Sequence, residues 1–147
     1  MMSRLRPTQV VDSVLDLPLS QLFATGKRVL IFDLDHTLCR RGTKMLDPKL
    51  GKFIADIQAT GFRVGILTNR RHNANDPIIH ALRKRIPVIA AAGKPSRRGF
   101  IRMLEQLDST PAKTVMIGDK LWTDILGANR MGIHSIRVST YPLFPQL

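Results

Sequence analysis

Two acidic residues follow the apolar run Val29–Phe32, at the point where a buried strand is expected to end. These residues are Asp33 and Asp35, and a single leucine separates them. Because side chains alternate along a strand, both carboxylates can face one site only if the chain turns sharply at Asp35. Ligands of open α/β sheets bind at the carboxyl ends of the strands. The motif therefore predicts a pair of chemically active carboxylates there, and the alternative is an ordinary turn that closes a strand.

Polar side chains also follow three later apolar runs. Thr68 and Asn69 close the second run, Lys94 follows the third, and Asp119 and Asp124 follow the fourth. A parallel sheet would bring all these strand ends to one edge. The hydroxyl of Thr68, the amide of Asn69 and the ammonium of Lys94 would then form a cradle for a phosphate group.

The carboxylates at this edge would repel one another unless a cation lay among them. Oxygen ligands without a cluster of histidine or cysteine favour Mg²⁺. The sequence therefore predicts a Mg²⁺ site held by Asp33, Asp35, Asp119 and Asp124.

The elements that must position these residues alternate between strand and helix. Asp47 and Pro48 are typical of a helix start, and Ser96 is typical of another. Apolar residues at helical spacing follow both positions. Alternation at this period predicts right-handed crossovers and an α/β fold, with a parallel sheet covered by helices on both faces.

Composition limits the class of protein. The 147 residues, 44% of them hydrophobic, are enough for one domain with one core. No apolar stretch approaches the roughly 18 residues that span a bilayer. The single cysteine, Cys39, excludes an internal disulfide and favours a reducing cytoplasm. A net charge of +12 favours a phosphate-bearing partner such as nucleic acid, an anionic membrane or an anionic small substrate.

The ordered set of strand-end residues resembles the haloacid dehalogenase (HAD) superfamily of phosphohydrolases, over at least residues 29–138. The resemblance implies that Asp33 is the nucleophile and that Asp35 is its acid/base partner. It implies that Thr68 and Lys94 hold the phosphoryl group. The residues of the family's fourth motif, which binds Mg²⁺, match Asp119 and Asp124.

The implied reaction is Mg²⁺-dependent hydrolysis of a phosphomonoester through an aspartyl-phosphate. A second acid at Asp35 favours a phosphatase over a dehalogenase, because a departing halide needs no proton. Only a dozen residues separate Asp35 from the helix that begins at Pro48, which leaves no room for a cap domain. We therefore expect a single HAD-like, Rossmann-type domain of the capless branch, with an open site.

Within that branch the chain resembles the YqeG-like group, which is related to the mitochondrial phosphatidylglycerophosphate phosphatases. The resemblance rests on the segment 5–26, the Thr68-Asn69 turn, the triplet 93–95 and the run 118–129. It implies conversion of phosphatidylglycerophosphate to phosphatidylglycerol. At position 36 the group more often has Asn, so His36 is either a turn residue or a proton carrier.

Basic residues follow the candidate catalytic strand ends. We expect Arg40, Arg41, Arg70 and Arg71 to contribute to substrate binding and to hold the active face against anionic lipid. A rim that is merely solvated is the alternative. A soluble phosphorylated protein, nucleic-acid end or sugar phosphate is the alternative substrate. A non-catalytic nucleic-acid-binding module is disfavoured by the low aromatic content of 5%.

These observations predict three segments. Residues 1–28 are expected to be helical and to lie on the core or at the membrane surface, residues 29–140 to form the phosphatase domain, and residues 141–147 to form a tail. The expected location is the cytoplasm, with peripheral association at the inner face of the membrane if the substrate is a lipid.

Overall fold

A six-stranded parallel sheet forms the centre of the computed structural model, which describes residues 2–71 and 76–144. In chain order the strands are β1 (Gln9–Val11), β2 (Val29–Phe32), β3 (Arg63–Leu67), β4 (Val88–Ile89), β5 (Thr114–Gly118) and β6 (His134–Val138). Their order across the sheet is β1-β6-β5-β2-β3-β4, and every pair is parallel. The central strand β2 therefore delivers its carboxyl end to the middle of one sheet edge.

Five α-helices connect or flank the strands. They are α1 (Leu19–Ala24), α2 (Pro48–Ala59), α3 (Pro77–Arg83), α4 (Arg97–Gln106) and α5 (Leu126–Arg130). The predicted caps are present at α2 and α4, where the Asp47 carboxylate accepts the Lys49 N–H at 2.9 Å and the Ser96 hydroxyl accepts the Arg98 N–H at 3.3 Å. A π-helical turn, Leu121–Ile125, precedes α5.

The core consists of two apolar layers, one on each face of the sheet. Leu30 and Phe32 of β2 pack with the buried faces of α2 and α3. Val29 and Ile31 point to the other face, where they pack with α4. The predicted α/β class, with a parallel sheet and helices on both faces, is therefore confirmed. The connection from β2 to α2 contains no inserted domain, in agreement with the capless prediction.

The N-terminal segment contains the expected helical structure in two 3-10 turns, Met2–Leu5 and Val14–Asp16, and in α1, but it also contains a strand. Residues Gln9–Val11 form the edge strand β1, which pairs with β6 in a register that places Gln9 opposite Ile136. The Thr8 N–H also donates to the Ser135 hydroxyl at 3.1 Å. The prediction of a helical segment is wrong here because long-range pairing with β6 determines the structure of three residues whose local pattern is weak. Val14 and Leu22 are buried in the core, so the segment lies on the domain.

The C-terminal tail packs on α2 as far as the structure describes it. The ring centroid of Phe144 lies 5.9 Å from that of Phe53. Residues 145–147 of the predicted tail lie outside the described residues. Among the helices that the structure describes, none is long and apolar enough to span a bilayer.

Candidate active site

The two acids after β2 point to different partners. The Asp33 N–H donates to the Ile117 carbonyl at 2.9 Å, so the backbone still follows the sheet at Asp33. The chain then turns, and His36 adopts a left-handed conformation with φ of 64°. Asparagine favours that conformation more than most residues do, which agrees with a turn role for this position. The predicted sharp turn is therefore present, and both acids line the same cleft, although each has its own partners.

Asp33 forms the centre of a buried group of charges. The Lys94 ammonium donates to Asp33 at 3.0 Å, to Asp124 at 2.6 Å and to the Leu67 carbonyl at 2.6 Å. Each of the three charged side chains is almost completely buried. Such charges are stable only when they are paired and hydrogen-bonded, as they are here. The ends of β2 and β5 and the loop after β4 thus bring together three residues that the sequence singled out.

A third carboxylate, that of Asp119, faces this group. One carboxylate oxygen each from Asp33, Asp119 and Asp124 can be chosen so that all three lie within 4.8 Å of one another. The Asp119 Oδ1 atom is buried and has no hydrogen-bond partner among the described residues. A buried carboxylate oxygen without a partner is costly, and a cation would satisfy it. The three carboxylates therefore fit a hard divalent cation.

Burial, with a smaller contribution from neighbouring acids, shifts the pKa values of this group. Burial raises the pKa of Asp33 to about 6, although Lys94 opposes the shift. Burial also raises the pKa of Asp119, and the neighbouring Asp33 charge adds to the effect. For Lys94, burial favours the neutral amine, but Asp124 and Asp33 outweigh it and raise its pKa. Raised carboxylate pKa values beside an ammonium mark a site where positive charge is still in deficit.

Asp35 does not belong to the metal group as predicted. Its carboxylate forms a two-point ion pair with the Arg70 guanidinium, in which Nε donates to Oδ2 at 3.1 Å and Nη2 donates to Oδ1. The Gly42 N–H also donates to Asp35, at 2.9 Å. Burial raises the pKa of Asp35, but these hydrogen bonds and the Arg70 charge outweigh it and lower the pKa overall. The predicted metal set is therefore corrected to the carboxylates of Asp33, Asp119 and Asp124.

Thr68 and Asn69 lie between these two groups. The Thr68 hydroxyl is in the cleft and accepts the Arg70 N–H at 3.0 Å. The Asn69 side-chain amide forms two hydrogen bonds with the backbone of Lys94. Its Nδ2 donates to the Lys94 carbonyl at 3.1 Å, and its Oδ1 accepts the Lys94 N–H at 2.9 Å. Asn69 thus holds the Lys94 loop in place, a role that differs from the predicted contact with phosphate.

An open cleft of about 240 Å³ gives access to these groups. It joins a second, shallower cleft of about 500 Å³ through Asp35, Arg41 and Arg70, which line both. Two side chains that the candidate set lacked, Lys120 and Thr123, also line the inner cleft. Lys120 had a signal in the sequence as a cation directly after a candidate catalytic strand end, whereas the only signal for Thr123 was its position between Asp119 and Asp124.

The four arginines of the predicted rim have different environments. Arg41 lines both clefts, and Arg71 is exposed beside the outer one. Arg70 forms an ion pair with Asp35. Arg40 is exposed and lines neither cleft; with Met45 it borders a depression beside Tyr141 and Phe144. Of the four arginines predicted to bind substrate, Arg41, Arg70 and Arg71 thus lie at the clefts and Arg40 does not.

Sequence comparison assigns the family. The model of haloacid dehalogenase-like hydrolases matches residues 30–95, and an HAD-hydrolase-like model matches residues 91–140. The probable phosphatase YqeG of Bacillus subtilis is 30% identical over 132 residues, which cover 90% of this chain and 76% of that protein. The chain belongs to the haloacid dehalogenase-like hydrolases.

Solved structures of this family share the fold. An uncharacterized protein from Listeria monocytogenes superposes with a TM-score of 0.60 at 22% identity, over 82% of this chain and 84% of that chain. The cobalt-bound deoxy-D-mannose-octulosonate 8-phosphate phosphatase of Haemophilus influenzae superposes with a TM-score of 0.50 at 16% identity, over 65% of this chain and 60% of that chain. The prediction of a phosphatase of the HAD family is confirmed at the level of enzyme class.

Proposed function

We propose that this HAD phosphatase hydrolyses phosphomonoesters through an aspartyl-phosphate on Asp33, with Mg²⁺ as its cation. The observation that carries the proposal is the contact of Asp33 with Lys94 at the bottom of the open cleft, beside the partnerless oxygen of Asp119. Asp33, Asp119 and Asp124 would hold the cation. When bound, Mg²⁺ supplies positive charge that offsets the repulsion between a carboxylate nucleophile and a phosphate.

In the first half-reaction a carboxylate oxygen of Asp33 attacks phosphorus. A new P–O bond forms to Asp33 while the P–O bond to the leaving alcohol breaks. Lys94 donates to Asp33 and holds its carboxylate in place. The Thr68 hydroxyl, which lines the cleft, would bind a phosphoryl oxygen. The departing alkoxide takes a proton from Asp35, which must be protonated for this step, whereas its ion pair with Arg70 favours the ionised form.

In the second half-reaction water attacks the phosphorus of the aspartyl-phosphate. Asp35 accepts a proton from that water, and the bond between phosphorus and Asp33 breaks. The products are inorganic phosphate and the regenerated Asp33 carboxylate. The ion pair with Arg70 favours the ionised form of Asp35, which is the form that accepts this proton.

The substrate that we propose is phosphatidylglycerophosphate, and the product is phosphatidylglycerol. Two observations support a lipid over a small metabolite: the absence of a cap on the described connection from β2 to α2, and a net charge of +12. Each well-placed Lys or Arg near an anionic membrane contributes about 1 kcal/mol to binding. An uncovered cleft suits a phosphate that a surface presents.

The test is a direct assay of the purified protein with Mg²⁺. Phosphatidylglycerophosphate in mixed vesicles and a panel of soluble phosphate esters should be compared by release of inorganic phosphate. We expect the lipid to be hydrolysed with the highest kcat/KM. Higher kcat/KM for a sugar phosphate, a phosphopeptide or a nucleotide would contradict the lipid assignment, and failure on every ester would contradict phosphatase activity.

A further inference from the structure

Two large apolar side chains are exposed on the loops that border the cleft. Trp122, the single tryptophan of the chain, is 68% exposed and lies between Lys120 and Thr123, which line the inner cleft. Met45 is 71% exposed; it follows Lys44, which lines the outer cleft, and it borders the neighbouring depression beside Arg40 and Tyr141. Both loops extend from the carboxyl edge of the sheet. Trp122 is therefore the apolar tip beside the inner cleft, and Met45 is the apolar tip of the loop between the outer cleft and that depression.

Basic side chains lie on the same loops as both apolar tips. Arg41 and Lys44 lie on the loop of Met45, and Lys120 lies two residues before Trp122. Among the ion pairs of residues 2–71 and 76–144, none includes these three cations. The acids of the clefts are instead engaged by Arg70 and by Lys94. The outer rim of the active face is therefore positive, while the acids of the clefts lie inside it.

We propose that Trp122 and Met45 enter the headgroup region of an anionic lipid bilayer, while Arg41, Lys44 and Lys120 contact its phosphates. The proposal rests on the proposed function only for the identity of the lipid substrate. Tryptophan favours the membrane interface because its ring is apolar and its N–H is polar. Exposed apolar side chains flanked by cations are the pattern of interfacial binding. The docked orientation turns the mouth of the cleft toward the lipid phosphates.

A bilayer fits this surface better than a nucleic acid does. Single-stranded nucleic acids bind to a series of aromatic side chains on which successive bases stack. Here Trp122 has no aromatic neighbour on its loop, and the second tip is a methionine. A flexible thioether adapts to a disordered apolar phase but does not provide a flat stacking surface.

The position of Trp122 allows a direct binding experiment. Its fluorescence should be followed while the full chain is titrated with phosphatidylcholine vesicles, either pure or doped with phosphatidylglycerol. We expect a blue shift and protection from aqueous quenchers with the doped vesicles only. Salt added to the bound complex should reverse the shift, since it screens exposed charges beyond about 8 Å at physiological ionic strength.

Substitutions on the proposed surface should weaken the vesicle affinity. Met45→Ser should lower it roughly tenfold, the factor that burial of one such side chain supplies. Lys44→Gln should lower it roughly fivefold. The matched controls are Ile101→Ser, an exposed apolar residue on α4, and Lys113→Gln, at the amino end of β5 and so at the opposite sheet edge. Both controls should bind as the wild type does.

Three results would overturn the docking proposal. They are an unchanged emission with both kinds of vesicle, an equal shift with the neutral vesicles, and a shift with a single-stranded oligonucleotide but with neither vesicle. Hydrolysis of a soluble ester is measured in parallel and does not require docking. Normal hydrolysis without a fluorescence shift rejects the docking surface alone, whereas a shift without hydrolysis rejects the proposed function alone.

Discussion

Asp33 and Asp35 have opposite electrostatic environments although one residue separates them. Asp33 is buried among other carboxylates, and its pKa is raised to about 6 despite the contact with Lys94. Asp35 is paired with Arg70, and its pKa is lowered overall. By themselves these shifts favour the protonated form of Asp33 and the ionised form of Asp35. Positive charge from a cation held beside Asp33 would lower its pKa and favour the ionised form that a nucleophile needs.

The substitution Asp33→Asn tests the nucleophile. We expect kcat to fall at least about a thousandfold, because an amide oxygen is a poor nucleophile. The fold should remain, since the amide is isosteric with the carboxylate. Phosphate release and circular dichroism measure the two effects. Asp12→Asn, at an exposed acid outside the clefts, is the control and should keep full activity. Substantial turnover by Asp33→Asn would remove Asp33 from its assigned role.

The substitution Arg70→Gln tests the ion pair. Burial raises the pKa of Asp35, and Arg70 is the main opposing influence, so its loss should raise that pKa. In the wild type the lowered pKa contributes stability above the ordinary value of 3.8, which is lost as the pH falls. The variant should therefore lose less stability between neutral and acidic pH.

Carboxyl carbon NMR of the metal-free protein would follow the Asp35 titration directly. Arg71→Gln is the matched control, because Arg71 is an exposed neighbour outside the Asp35 ion pair. The same titration curve for the Arg70→Gln variant and the wild type would contradict the structural pairing.

At the scale of elements, the end of β5 is shaped to admit a carboxylate. Gly118 is the last residue of the strand, and a Cβ built there would overlap the side chain of Asp124. The π-helical turn after the strand brings Asp124 back over this glycine. The Asp124 carboxylate also accepts the Lys120 N–H at 3.2 Å. Strand, glycine and turn thus act together to present Asp124 to Lys94.

Gly118→Ala should therefore displace Asp124 and weaken divalent-cation binding. We expect the affinity for Mn²⁺, measured by calorimetry, to fall at least roughly tenfold, because one of three carboxylates moves. Gly51→Ala is the matched control: its Cβ would meet only the flexible end of the Arg85 side chain, and alanine favours the α2 helix. Unchanged affinity in Gly118→Ala would show that Asp124 is not a ligand.

At the scale of the whole molecule, one sheet edge concentrates negative charge inside a strongly basic protein. The carboxylates of Asp33 and Asp124 are buried against the Lys94 ammonium, and the half-buried Asp119 lies beside them. The exposed surface around them carries the excess of the +12 net charge. Under the proposed function, phosphate esters would be attracted over long range by the basic surface and over short range by the cation site.

Binding of Mg²⁺ should stabilise the folded protein as a whole. A ligand that binds only the native state at a hundred times its Kd adds about 2.7 kcal/mol. We therefore expect Mg²⁺ to raise Tm and a chelator to reverse the change, as measured by thermal unfolding. Asp119→Asn should lose most of this response, because it removes a charged ligand. Identical Tm values of the wild type with Mg²⁺ and with chelator would reject the metal site.

Most of the fold and of the catalytic set follows from local sequence pattern. Apolar runs that end in Asp33, Thr68 and Asp119 predict both the strands and their shared edge, because parallel strands must align their carboxyl ends. The caps at Asp47 and Ser96 likewise depend on residues two positions away. Where the contacts that determine a feature are local or imposed by the sheet topology, the amino-acid sequence alone is sufficient to predict that feature.

Other features arise only when distant segments meet. The Arg70–Asp35 pair joins residues 35 apart, and its formation depends on how two irregular loops approach each other. The edge strand β1 pairs across 127 positions, where Thr8 meets Ser135. The sequence predicts that Asn69 contacts phosphate, whereas in the structure its side-chain amide forms hydrogen bonds with the backbone of Lys94. Periodicity and spacing carry no information about such contacts, because the backbone path between the partners decides them.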